Sequence, residues 1–329
     1  METADLTIIG AGPAGLYGAF YGALRGLRVR LFEALPFAGG QIAALYPEKT
    51  ILDVGGLPLI RGADLVARLT EQAAFGQPDI HFAEQVRQLR RAEDGFALET
   101  TLGRYRTRAV LVATGVGSFA PKPLGTEAVD RWTGRGVRHA LGEPRAFAGR
   151  ECVVVGGGDS ALDWALELAD AGARVTLVHR RDHFRGAEAS VARAEASGVR
   201  ILRSCALEAL LGGDRPQRAV VRDLRSGLAE EIPCAEVILA LGFAADLSLL
   251  RAWELPLDGR GVIVAPDSMA VAPGIYAAGD VTAYPGKLKL IATAFAEAAL
   301  AVSACKQALD PAARLQAGHS SELGRAERG

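Results

Sequence analysis

The sequence predicts an α/β protein with two Rossmann-like domains, the second inserted into the first. Two observations predict this. A strand–turn–helix–strand pattern occurs twice, at residues 5–34 (DLTIIGAGPAGLYGAFYGALRGLRVRLFEA) and at 151–181 (ECVVVGGGDSALDWALELADAGARVTLVHRR). Each copy is the opening βαβ unit of a nucleotide-binding fold. Two glycine-containing junctions, Thr114-Gly115-Val116-Gly117 and Leu241-Gly242-Phe243, bracket the second copy. They put one domain at residues 1–116 plus 243–329 and the other at 117–242. The crossings are expected to act as hinges, because glycine absorbs backbone rotation cheaply.

Size and charge agree with this division. A chain of 329 residues, 50% hydrophobic, is too long for one ordinary core. Its formal net charge of −1 gives no reason to expect a nucleic-acid partner. Residues 6–9 are too short an apolar run for a signal peptide. Residues 291–305 form the longest apolar helix candidate, but Glu297 interrupts it and it falls short of the roughly 20 residues a bilayer needs. A soluble, cytoplasmic protein without membrane association is expected. The 4 cysteines (Cys152, Cys205, Cys234, Cys305) form no Cys-x-x-Cys pair, so they read as small buried hydrophobes. No metal site is expected.

The remaining elements fit around the two repeats. Residues 63–75 carry a helical pattern through Leu65, Leu69 and Gln72. Residues 96–101 and 104–108 read as paired strands across Gly103, and 110–113 as a separate buried strand. A helix is expected over 187–197 and strands over 199–202, 219–224 and 237–241. Residues 275–278 read as a buried strand, and 289–308 as a long helix. After Pro311 the chain turns polar and loses periodicity.

The first repeat carries Gly10-x-Gly12-x-x-Gly15 between a strand and a helix. Here Gly10 allows the turn, Gly12 lets the backbone approach a pyrophosphate, and Gly15 lets helix and strand pack closely. Pro13 and Ala14 open the helix, where free N–H groups and the helix dipole favour an anion. Glu33 ends the second strand. A carboxylate there accepts a ribose 2′-hydroxyl and repels a 2′-phosphate, which suits the adenosine half of FAD or NAD. Gly39-Gly40-Gln41 and Tyr46-Pro47 follow. Far downstream, Gly279-Asp280 closes a buried strand, where Asp280 could hold a polyol hydroxyl such as a ribitol's.

The second repeat carries Gly156-x-Gly158-x-x-Ala161, with Asp159 and Ser160 at the helix start. Its second strand ends in His179-Arg180-Arg181, with Arg185 just beyond. No acid stands at the ribose position. Cations there pair well with a 2′-phosphate, so NADPH is favoured over NADH.

GAGPAG, GGQ, GGGDSA, HRRDHFR and AAGD occur in the order found in low-molecular-weight thioredoxin reductases, which the whole chain resembles. Those enzymes need a Cys-x-x-Cys in the nicotinamide domain, and this chain has none. It more closely resembles ferredoxin–NADP reductases of the thioredoxin-reductase-like type, through GGQIAALYPEK (39–49), YPGKLKLIATAFAEA (284–298) and LQAGHSS (315–321). The resemblance implies FAD contacts at Glu33, Gln41, Tyr46, Val86, Phe119, Asp280 and Ser321. Tyr46 would stack on one flavin face. His319, in a tail supplied by the partner subunit of a homodimer, would cover the other. Ser320-Ser321 stands where relatives often carry Ser-Thr, and keeps a hydroxyl.

The resemblance also implies an electron path. NADPH would give a hydride to the flavin, which would return single electrons to ferredoxin or flavodoxin. The helix starting near Leu288 or Lys289 would aim its positive end at the flavin. A quinone reductase and a non-catalytic flavin redox sensor are the competing readings.

Overall fold

The computed structural model describes residues 2–117, 120–244 and 246–316. The chain divides into two compact units, Met1–Phe119 with Ala245–Gly329, and Ala120–Ala244. Each is built on a parallel sheet, so the chain is an α/β protein with two Rossmann-like units.

In the first unit five strands run parallel in the order Ile275–Ala277, Arg104–Val112, Ala4–Ile9, Val29–Phe32, Asp79–His81. Central parallel strands are covered on both faces and therefore read as unbroken apolar runs. Leu6, Ile8, Leu31, Val110 and Leu111 are fully buried accordingly. The helices Pro13–Leu24, Gly62–Ala73 and Ile291–Leu309 contribute Leu16, Leu65, Leu69 and Val302 to the same core.

The register aligns the strand ends. Ile9 pairs with Phe32 and with Val112, and Val112 pairs with Ala277. The segments that follow, from Gly10, Glu33, Ala113 and Ala278, therefore leave the sheet at one carboxyl edge. Ligands of open α/β sheets bind at that edge.

Two expected strands prove to be one. Arg104–Val112 is continuous, with alternating burial over its first half and complete burial after Ala109. The outer half pairs antiparallel with Gly95–Thr100, while the inner half enters the parallel sheet. On the far side of Gly95–Thr100 lies the strand Val86–Ala92, which the sequence does not announce because a register shift between Val86 and Gln88 breaks the two-residue alternation.

The second unit has the parallel order Val137–Arg138, Glu236–Ala240, Glu151–Gly156, Arg174–His179, Arg200–Arg203. Alternate residues of the Glu151–Gly156 strand feed two cores. Val153 and Val155 pack with Leu207, Leu210 and Val221, while Cys152 and Val154 pack with Leu162, Ala165 and Leu168 of the Asp159–Asp170 helix. The antiparallel strands Cys205–Gly212, Pro216–Asp223 and Ala229–Pro233 form a separate sheet. Among the described residues no helix is long and apolar enough to cross a membrane.

Candidate functional site

At the carboxyl edge of the first unit the glycines of the turn are sterically required. Gly10 adopts φ +107°, and a Cβ on it would lie 2.4 Å from the Ala113 carbonyl oxygen. A Cβ on Gly15 would lie 1.8 Å from the Gly10 oxygen. Gly12 caps the Pro13–Leu24 helix without a side-chain hydrogen bond, so among the described residues no side chain fills the first-turn N–H groups. A cavity of about 730 Å³ opens above them, walled by Gly10, Gly12, Pro13 and Ala14.

The same cavity gathers most of the residues that the sequence singled out in this unit. Glu33, Gly40, Gln41, Tyr46, Val86, Gly279 and Asp280 all line it. Phe119, His319 and Ser321 lie outside the described residues. Gly39 and Gly40, at φ +109° and +53°, launch a short helix, Gly40–Leu45, that the sequence did not announce. This helix brings the Gly40 backbone against Gly12, and a Cβ on Gly40 would sit 3.0 Å from the Gly12 Cα.

Glu33 is buried, and its carboxylate already has two partners. Oε2 accepts the Ala11 N–H at 2.7 Å and Oε1 accepts the Leu35 N–H at 2.9 Å. Each oxygen keeps a further lone pair toward the cavity. Tyr46 ends the short helix. Burial, and then the charges of Asp280 and Asp53, push its hydroxyl pKa up to about 12, so it stays a neutral phenol. The long C-terminal helix begins at Ile291, slightly later than expected, because Leu290 caps it in an extended conformation: the Thr293 hydroxyl shares its one proton between the Leu288 and Leu290 carbonyls, each 2.8 Å away. Lys289, Leu290, Ile291 and Ala294 bring the positive end of that helix to the cavity.

The turn of the second unit is built on similar lines, with one difference. Gly158 caps the Asp159–Asp170 helix and is open to solvent, whereas a Cβ on Gly156 would strike the Ala240 oxygen at 2.5 Å. Gly157 is enforced by a side chain: a Cβ there would fall 2.1 Å from His179 Cε1. His179 is buried behind the turn, stacked on Phe184 at 4.9 Å, with Nε2 3.1 Å from the His183 carbonyl. Burial is the first cause that lowers its pKa, so the ring sits there neutral. Ala161 is buried at the helix start and Ser160 is exposed.

Arg180, Arg181 and Arg185 are exposed beyond the strand end. The nearby acids are engaged elsewhere: Asp182 lies 3.8 Å from Arg225, and Glu195 pairs with Arg203. The arginine loop is laced to the turn by two bonds. The Arg185 N–H donates to the Gly157 carbonyl at 2.7 Å, and the Ala187 N–H donates to Asp159 Oδ1 at 2.8 Å.

The family model for pyridine nucleotide-disulphide oxidoreductases matches residues 4–298. A ferredoxin–NADP reductase of Halalkalibacterium halodurans is 40% identical over 324 residues, covering 98% of both chains. One from Frankia alni is 44% identical over 317 residues, covering 96% of this chain and 98% of that one. The chain belongs to the ferredoxin–NADP reductase branch of this oxidoreductase family. The fold is also that of T. acidophilum thioredoxin reductase, with TM-score 0.83 and 24% identity over 93% of this chain and 99% of that one.

In this family member the cysteines are free and buried. Burial is the leading cause that raises the Cys152 thiol to about 11 and the Cys234 and Cys305 thiols to about 12, which leaves them protonated and unreactive at neutral pH. The sequence missed one cluster. Glu297, visible only as an acid interrupting an apolar helix, is buried against Gly279, Tyr284 and Lys287.

Proposed function

We propose that the chain is an FAD-dependent reductase that carries electrons between NADPH and ferredoxin. One observation carries this reading: near-full-length identity of 40–44% to ferredoxin–NADP reductases, in a chain with two glycine-lined turns of opposite charge. Glu33 stands at one turn and exposed arginines at the other. The open cradle at Gly12, the unfilled first-turn N–H groups and the adjoining cavity fit FAD. The open Gly158 turn with its arginines fits NADPH.

The protein's own groups do the following. The turn at Gly10–Gly15 binds a pyrophosphate through backbone N–H groups. Glu33 accepts a ribose hydroxyl with its remaining lone pairs, and Asp280 accepts one from the ribitol chain. Tyr46 offers a neutral ring against one flavin face. The start of the Ile291–Leu309 helix holds negative charge at the cavity. Arg180, Arg181 and Arg185 grip a 2′-phosphate, which selects NADPH over NADH. FAD, when bound, supplies the conversion between a hydride and single electrons.

Ferredoxin, or flavodoxin in its place, is the protein partner. The enzyme works in the cytoplasm as a homodimer whose tails, through His319 and Ser321, complete the partner's flavin site. Purified holoprotein offered NADPH or NADH, with ferredoxin, flavodoxin, thioredoxin or a quinone as acceptor, tests the reading. Fast turnover with NADPH and ferredoxin is expected. Faster turnover with a quinone, or equal use of NADH, would overturn it.

A further inference from the structure

Beneath the first cavity lies a buried ion pair. The Glu297 side chain is 4% exposed and that of Lys287 is 8% exposed. Four groups converge on the carboxylate. Oε2 accepts the Gly279 N–H at 2.7 Å and lies 3.5 Å from Thr282 Oγ1, while Oε1 accepts the Tyr284 hydroxyl at 2.6 Å and the Lys287 ammonium. The Gly279 carbonyl is held as well, accepting the Thr282 N–H at 3.1 Å and the Thr282 hydroxyl at 2.9 Å.

A buried ion pair is a weak source of stability, because the cost of desolvation matches or exceeds the attraction. What this one joins is more telling. Gly279 immediately precedes Asp280, which lines the cavity. Glu297 follows Ile291 and Ala294 at helical spacing, and both of those line the same cavity. The carboxylate thus ties the Asp280 strand end and the first turns of the C-terminal helix into one frame. It also lies within two turns of a helix end whose value to the site is its positive potential. A lone carboxylate there would cancel that potential, and Lys287 neutralises it.

We propose that Glu297 and Lys287 are positioning residues for the flavin. Glu297 orients the Gly279–Asp280 peptide, and Lys287 cancels the charge of Glu297 so that the helix end keeps its positive field. This inference rests on the FAD reading of the cavity.

The test measures two quantities in holoprotein: the flavin midpoint potential, by dye-coupled reductive titration, and the FAD dissociation constant. Glu297→Gln leaves the Lys287 charge uncompensated, so the potential rises. Adding Lys287→Met removes that charge, so the double variant returns toward the wild-type potential. Both variants lose the charged acceptor for the Gly279 N–H, and FAD binding weakens about tenfold in each. Tyr284→Phe removes one donor without changing charge and leaves the potential where it was.

A potential that is unmoved or lowered in Glu297→Gln overturns the proposal. So does a double variant displaced further than the single one, the pattern of purely structural damage. If Glu297→Gln does not fold with FAD bound, the double variant against Lys287→Met carries the same comparison: the double variant is expected at the higher potential, and the reverse order overturns the proposal. Asp280→Ala separates the two levels. Unchanged FAD affinity in that variant removes the cavity reading itself, whereas weakened FAD binding together with failed potential shifts removes only this inference.

Discussion

Glu33 Oε2 lies 2.7 Å from the Ala11 backbone nitrogen, so a carboxylate at the end of the second strand holds the glycine turn at the end of the first. The side chain proposed to hold a ribose is also a brace for the loop proposed to bind a pyrophosphate. Glu33→Ala is expected to leave two backbone N–H groups without their acceptor, at ~1–3 kcal/mol of stability for each that remains buried. Urea unfolding of the FAD-free protein measures that loss apart from ligand binding. An unchanged midpoint would show that water replaces the carboxylate without cost.

Gly157 and His179 form a second coupled pair. Gly157→Ala pushes a methyl group into the imidazole and is expected to raise the KM for NADPH while leaving FAD binding intact. His179→Ala in the same chain opens the space and is expected to recover part of the loss. Steady-state kinetics of the single and double variants check this. A double variant no better than Gly157→Ala alone would refute the steric coupling.

The arginines beyond that strand are expected to act on the cofactor alone. Arg180→Ala and Arg181→Ala should each weaken NADPH by about tenfold or more, the scale of a charge-assisted phosphate contact. NADH kinetics should barely move, so the ratio of the two kcat/KM values falls. Equal losses with both cofactors would place these side chains in a structural role.

Acid sensitivity follows from the histidine behind the turn. His179 has its pKa lowered from 6.5 by burial, and His139 likewise. Below about pH 6.5 the unfolded chain takes up protons that the folded unit refuses, so stability is full above that pH and declines as pH falls. Thermal unfolding at pH 8 and pH 5.5 should show the decline, and His179→Phe should reduce it. A variant with the same acid loss as wild type would assign the effect to other groups.

The sequence was most legible where a candidate site is built from one short segment. Both glycine turns, Glu33 and the arginine run lie within a strand–turn–helix–strand unit whose spacing is local. Gly157 was harder to interpret, since what forbids a side chain there is His179, a strand away. The Arg104–Val112 strand was divided in reading because its covering changes midway. Glu297 stayed hidden for a related reason. Its partners come from the strand end at Gly279 and the loop at Tyr284 and Lys287, and no helical pattern says which acid will be swallowed by such a neighbour.

The two bonds that lace the arginine loop use the backbone of Arg185 and Ala187 and leave the guanidinium groups uncommitted. Under the proposed role of these arginines, coenzyme choice is thereby separable from the scaffold. A redesign toward NADH would exchange residues 180, 181 and 185 and keep Gly157, Asp159 and His179, altering what the loop recognises without altering where it stands.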